Sequence, residues 1–219
     1  MQITLNNTGK RYNREWIFRH VNYEFMPGNA YAITGPNGSG KSTLLQVIAG
    51  AILHSEGDIK YKMQDPGSRI PAKADPGTDI LYPVSGTDAY KQISIATPYL
   101  ELIEEMTATE LLSFHSNFKS FSIPIPEMLA AVSLQNAANK QIRYFSSGMK
   151  QRLKMAQAFF SNTTVLLLDE PTTNLDADGI ALYRQLISDH AKNRLVIVSS
   201  NDIQEYDFCN EVISINDYK

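Results

Sequence analysis

Apolar and polar residues alternate through "MQITL" at the start of the chain and again through "HVNYEF", His20 to Phe25, the period-2 pattern of half-buried strands. "NAYAIT", Asn29 to Thr34, is a compact apolar strand. The period then changes. In "KSTLLQVIAGAIL" the residues Leu44, Val47, Ile48 and Ala51 fall on one face of a helix. Gly57 reads as a break, after which "DIKYK" resumes strand character. Residues 64–88 hold four prolines and read as a long surface loop or small insertion, with a short strand at Ile80 to Tyr82. "QISIA" is another strand. Residues 99–145 read mostly as helices, one opened by a capping box of Thr107 with Glu110 and one by Pro126. A longer helix follows in "SSGMKQRLKMAQAFF", where Met149, Leu153, Ala156 and Phe160 share a face. "TTVLLLDE" is a fully buried strand and "DADGIALYRQLISDHAKN" an amphipathic helix. "RLVIVSS", a short helix from about Asp202, and the strand "EVISI" complete the pattern. Strands alternating with helices predict an α/β fold whose mainly parallel sheet is covered on both faces.

Composition narrows the class. The 219 residues are 43% apolar and 20% charged, ordinary for a globular domain with a sizeable core. The net charge of −3, with dispersed Lys and Arg, excludes a basic nucleic-acid stripe or a polybasic membrane anchor, so no nucleic-acid partner is expected. The single cysteine, Cys209, excludes an intrachain disulfide and fits a reducing compartment. No apolar run approaches the ~20 residues that span a bilayer. The polar N-terminal stretch lacks the apolar core of a signal peptide. A cytoplasmic protein is expected, with any membrane-spanning part supplied by a partner.

"GPNGSGKST", Gly35 to Thr43, satisfies G-x-x-x-x-G-K-[ST] and sits between a predicted strand and a predicted helix. Its glycines (Gly35, Gly38, Gly40) let successive N–H groups, with Asn37 and Ser39 between them, turn into one concavity at a helix N-terminus, which binds anionic oxygens. Lys41 is expected to reach the β- and γ-phosphates of a nucleotide, Ser42 to ligate Mg²⁺ and Thr43 to bind an α-phosphate oxygen. "VLLLDEP" delivers Asp169 and Glu170 at the C-terminal end of a buried strand, where doubly wound folds bind ligands. Asp169 suits a Mg²⁺ role and Glu170 can polarise a water for in-line attack on the γ-phosphate. Read without the phosphate loop, the same residues are an acidic turn before Pro171.

"FSSGMKQR", Phe145 to Arg152, separates the nucleotide-binding families. It resembles the signature of the ATP-binding cassette (ABC) ATPases, the nucleotide-binding subunits of ABC transporters, usually written LSGGQ followed by a basic residue, Gln and Arg. Ser146 and Gly148 match, Ser147 replaces a glycine and Met149 replaces the glutamine. "LLLDEPTTNLD" is similar to the family's Walker B strand, catalytic Glu and D-loop, with Asp176 ending the D-loop. The resemblance covers essentially the whole chain. It implies a P-loop NTPase core, an N-terminal antiparallel β subdomain and an inserted helical subdomain. A single domain, 1–219, is expected, divided at 1–98 (with the long loop 64–88), 99–145 and 146–219.

The resemblance also implies an ATPase using ATP and Mg²⁺ that forms a head-to-tail dimer, each ATP lying between one subunit's phosphate loop and the other's signature. Ser146 and the N–H groups of Ser147 to Met149 open a helix and make a second anion site. A chain with two anion sites and one phosphate loop needs a partner to use both on one nucleotide. Tyr12 resembles the family aromatic that stacks on adenine; it is equally suited to packing on a sheet edge, and Trp16 is the second candidate.

Two positions depart from the family. Its Gln at the end of the strand "ISIATPYLEL" is missing; register places Pro98 or Tyr99 there, and Glu101 is the nearest polar group. Its His in S-S-H-D is Asn201 in "SSND". Asparagine can donate to a γ-phosphate oxygen but cannot become cationic. The expected activity is therefore slow hydrolysis by Glu170, Lys41 and Asn201, powering a membrane-spanning permease from the inner face of the membrane. The alternative is a nucleotide-gated scaffold with little hydrolysis.

Overall fold

Two sheets organise the chain, and the computed structural model describes residues 1–64, 81–84 and 86–219 of it. The first sheet is antiparallel, with β1 (Gln2–Tyr12), β2 (Glu15–Phe25), β4 (Glu56–Gln64) and β5 (Leu81–Val84) in the order β2-β1-β4-β5. The second is parallel, with β3 (Ala30–Thr34), β6 (Ile93–Ala96), β7 (Val165–Asp169), β8 (Leu195–Ser199) and β9 (Glu211–Ser214) in the order β6-β7-β8-β3-β9. The helices are α1 (Lys41–Ile48), α2 (Gly86–Ala89), α3 (Ala108–Ser116), α4 (Ile125–Ala131), α5 (Ser147–Phe160), α6 (Ala177–His190) and α7 (Ile203–Tyr206).

Strands β7 and β8 are buried at every residue, as continuous apolar runs inside a parallel sheet should be. Their alternation divides the interior into two cores. Leu166, Leu168, Val196 and Val198 face a core shared with α3 to α6. Val165, Leu167, Leu195 and Ile197 face the other, shared with α1 and the antiparallel sheet. Arg194 ties the starts of these strands together. Its buried guanidinium donates to Phe159 O at 2.9 Å and to the hydroxyls of Ser94 and Thr163 at 2.7 and 2.6 Å.

Three expectations need correction. Gly57 is not a break before a strand but a residue within β4, opposite a bulge in β1 where Asn7 and Thr8 face it. Its φ is +78°, and a Cβ there would stand 2.1 Å from Asn7 O, so only glycine lets the two backbones approach. Helix α1 stops at Ile48, where Gly50 with φ +71° donates to Val47 O and turns the chain. Over residues 99–145 the regular helix is limited to α3 and α4, with short 3-10 turns at Gln135–Ala137 and Ile142–Tyr144. The capping box of Thr107 with Glu110 opens α3 as expected. Of the expected strand at Ile80 to Tyr82, Ile80 lies outside the described residues, as does most of the loop 64–88; Leu81 and Tyr82 belong to β5.

His115 on α3 is a packed residue with a consequence for pH. Its ring stacks on Phe121 with centroids 5.6 Å apart and lies between Gln157 and Ser161. Burial, with Lys119 adding repulsion, pushes its pKa down to about 4. The unfolded chain takes up this proton near pH 6.5 and the folded chain only near pH 4, so stability falls as pH drops through that window. The urea midpoint should decline between pH 6.5 and 4.5, and His115→Gln should flatten that decline.

Candidate functional site

The phosphate loop joins β3 to α1 and is shaped by its glycines. Gly40, with φ +100°, is the N-cap of α1, and a Cβ on it would stand 2.4 Å from Ile17 Cγ2. Gly35, with φ +146°, would meet Ile215 Cγ2 at 2.5 Å. The loop therefore packs against β2 on one side and the segment after β9 on the other. Lys41 is 4% exposed, and its ammonium donates to the carbonyls of Gly35 at 2.7 Å and Pro36 at 3.3 Å. This holds the charge over the loop's concavity. Asn37 to Thr43, with Ile17, Tyr99 and Glu170, line a cavity of about 320 Å³. Ser42, Lys41 and Glu170 thus meet in one place. Tyr12 does not line it. Tyr12 sits half-exposed beside the β1–β2 turn, with the Lys10 ammonium 4.9 Å from its ring centre, and Arg19 covers Trp16 at 4.1 Å.

The acidic pair follows from sheet register, which sets Asp169 beside Ser199. Asp169 is 2% exposed. Its Oδ2 accepts from Thr97 Oγ1 at 3.4 Å, and its buried Oδ1 has no hydrogen-bond partner. A buried carboxylate oxygen without a partner is costly unless a cation or water completes it. Among the described residues no three His, Cys, Asp or Glu side chains gather as a metal cage. Asp169 is not among the residues lining the cavity that holds Ser42; a carboxylate and a hydroxyl are both oxygen donors of the kind Mg²⁺ accepts alongside phosphates and water.

Glu170 adopts a positive φ of 42°, a conformation that costs a non-glycine residue about 1 kcal/mol or more. Its N–H donates to Ser199 O at 2.9 Å and its carbonyl accepts from Thr173 N–H at 3.1 Å, bonds that hold the turn. Buried Glu205 braces the same turn through the Thr172 N–H, at 2.7 Å, and the Thr172 hydroxyl.

Asn201, at the tip after β8, reaches across to the phosphate loop. Its Oδ1 accepts from Gly35 N–H at 3.1 Å and its Nδ2 donates to Asn37 Oδ1 at 3.2 Å. Because a backbone N–H must donate, the first bond fixes which way the amide points. One N–H of the amide remains to offer an anion.

The signature residues stand elsewhere. Ser146 is the N-cap of α5, accepting from Met149 N–H at 3.2 Å. Ser146, Ser147, Gly148 and Met149 line a second cavity of about 590 Å³ together with Lys140 and Asp176. Gly148 fits against Asn174 O, which a Cβ would approach to 3.0 Å. Asp176 caps α6 by accepting from Gly179 N–H at 2.8 Å and accepts from Arg152 Nη2 at 3.0 Å. The Gly179 bond first, and then Arg152, hold its carboxyl below the usual range. The two cavities have no lining residue in common.

Sequence reasoning missed Ile17, Glu205 and Thr97, and took Arg152 only as the end of the signature stretch, not as a partner of Asp176. Glu205 and Thr97 carried a signal, as polar residues four places after Asn201 and two after β6's "SI".

A family model described as ABC transporter matches residues 18–173. The chain is 30% identical over 203 residues to the lantibiotic transport ATP-binding protein SrtF of Streptococcus pyogenes, covering 92% of this chain and 80% of that protein. It is 30% identical over 207 residues to the cytochrome c biogenesis ATP-binding export protein CcmA of Agrobacterium fabrum, covering 92% and 89%. Among solved structures, the ATP-binding cassette MJ0796, a dimer in a post-hydrolysis state with ADP and Pi, superposes with a TM-score of 0.77 at 24% identity, over 97% of this chain and 93% of that one. A putative ABC transporter ATP-binding protein from Pyrococcus furiosus gives a TM-score of 0.75 at 18% identity over the full length of both. The family model covers more than half of the residues, a stretch that holds the phosphate loop, the signature and the acidic strand, and the chain belongs to the ABC transporter family as an ATP-binding protein.

Proposed function

We propose that the chain is a slow ATP-hydrolysing subunit of an ABC transporter, closing head to tail with a second copy around ATP and driving a separate membrane-spanning permease from the cytoplasmic face. The observation that carries this reading is the separation of the two cavities. One presents Lys41 and a helix N-terminus, the other Ser146 and a helix N-terminus, and neither shares a wall with the other. Two copies facing each other complete both. No helix among the described residues is long and apolar enough to cross a membrane, and in this reading the permease supplies the crossing.

In this reading Lys41 leaves the Gly35 and Pro36 carbonyls for the β- and γ-phosphates, and the N–H groups of Gly38 and of Gly40 to Thr43 hold the remaining oxygens, that of Ser39 being taken by Pro36 O. Asp169 and Ser42 would hold Mg²⁺, which when bound neutralises charge on the terminal phosphates. Glu170 accepts a proton from the attacking water, in line with the γ-phosphate. Asn201 keeps the loop in place through Gly35 and Asn37 and offers its remaining N–H to the γ-phosphate. Glu170 standing in the cavity wall argues against a scaffold that binds ATP without splitting it.

Affinity purification of the tagged chain tests the assignment. A multi-spanning membrane protein recovered in stoichiometric amount supports it; purification as a chain that never joins a membrane protein overturns it. The Asn201 role has its own test. A histidine can become cationic and make the stronger charge-assisted bond, so Asn201→His should raise turnover by about 3- to 10-fold, read as phosphate release. An unchanged or lower rate would show that the site is built around the amide and its grip on Gly35.

A further inference from the structure

The turn after β6 brings Tyr99 to the wall of the phosphate-loop cavity. Tyr99 is 74% exposed, yet it stands in the wall of the phosphate-loop cavity with Lys41, Ser42 and Glu170. It is also the one residue shared with a neighbouring cavity of about 380 Å³ lined by Glu101, Glu104, Lys150 and Lys154. Glu101, the polar group nearest in sequence to the missing glutamine, lines only that second cavity.

The backbone beneath Tyr99 is fixed from two directions. Leu100 N–H donates to Thr97 O at 3.2 Å, closing the turn, and Tyr99 N–H donates to Thr97 Oγ1 at 3.3 Å. The same hydroxyl donates to Asp169 Oδ2. On the other side, Lys154 of α5 donates its ammonium to Pro98 O at 2.5 Å. Lys154 is 6% exposed and burial lowers its pKa. A lysine is seldom this buried without a carboxylate partner, and the Pro98 carbonyl is the acceptor that receives it. The tip therefore carries a large side chain on a braced turn, so the backbone needs little ordering when a ligand arrives and only the side chain's own rotamer remains to be fixed.

We propose that Tyr99 is a substrate-contacting residue, its phenol hydroxyl donating to the terminal phosphate of ATP, with Lys154 as the positioning residue that sets the turn. A neutral hydroxyl suits this place, because it donates without the repulsion a carboxylate would bring. The proposal rests on the ATP reading above and identifies which side chain of the β6 turn serves the site.

The test compares ATP with ADP on the purified chain and does not depend on turnover. Tyr99→Phe removes only the hydroxyl. It should weaken ATP binding about 10-fold, as loss of a hydrogen bond to a charged group does, and leave ADP binding within 2-fold of wild type. Where turnover is measured, kcat/KM for ATP should fall by the same factor. Lys154→Met should lower the ATP-to-ADP preference in the same direction. Equal losses for ATP and ADP would make Tyr99 a packing residue of the loop, and unchanged ATP affinity in Tyr99→Phe would remove the contact; either overturns the proposal. Wild-type turnover above that of Glu170→Gln judges the ATPase reading separately.

Discussion

Glu170→Gln should cut ATP turnover about 100- to 10,000-fold while leaving ATP affinity near that of the wild type. General-base catalysis contributes on that order, and the amide keeps the size and hydrogen-bonding reach of the carboxylate while losing its ability to take a proton. The turn is held by main-chain bonds, Glu170 N–H to Ser199 O and Thr173 N–H to Glu170 O, together with Glu205 on Thr172. None of these involves the Glu170 side chain, so the substitution should leave the turn in place. Turnover is read as phosphate release, affinity by equilibrium binding, and thermal midpoint serves as the control for folding. A wild-type rate no faster than the Glu170→Gln rate would place the chain among nucleotide-gated scaffolds.

Lys41→Ala should weaken ATP binding about 100-fold. Hydrogen bonds to charged groups contribute about 1.5–3 kcal/mol each, and one ammonium can reach two phosphates. The ammonium also holds the Gly35 and Pro36 carbonyls, so its removal loosens the first turn of the loop as well. Lys41→Arg should not restore affinity. The site takes a compact point charge at 4% exposure, and a planar guanidinium does not fit the same concavity. Titration with a fluorescent ATP analogue measures both variants; retained affinity in Lys41→Ala would remove Lys41 from the phosphate site.

Much of the site was legible because its signals are local. The glycine spacing of "GPNGSGKST", the apolar run ending in Asp169 and Glu170, and the serine-capped helix at Ser146 each lie within one short stretch, and each is found where the pattern put it. What escaped depends on residues far apart in sequence. Asn201 meets Gly35 and Asn37 because β3 and β8 pair in parallel, Ile33 beside Ser199, which brings two strand ends together across more than 160 residues. Ile17 under Gly40 follows from β2 leaning on the loop, and Arg152 on Asp176 from the packing of α5 against α6. Periodicity reports which face is buried, not what faces it. The excess of predicted helix over residues 99–145 has a similar cause. Apolar side chains such as Leu102, Phe121 and Ile123 contribute to the core from irregular backbone, and a pattern of burial alone cannot distinguish that from helix.

The left-handed backbone at Glu170 sets fold and chemistry against each other at a single residue. Glycine or asparagine would occupy that conformation with less strain, and neither could take a proton from water. Selection for heat resistance alone would therefore favour replacing the side chain proposed to take the proton. The glutamate persists only where its work is also under selection, and consensus or stability-guided redesign of this chain should hold that position fixed.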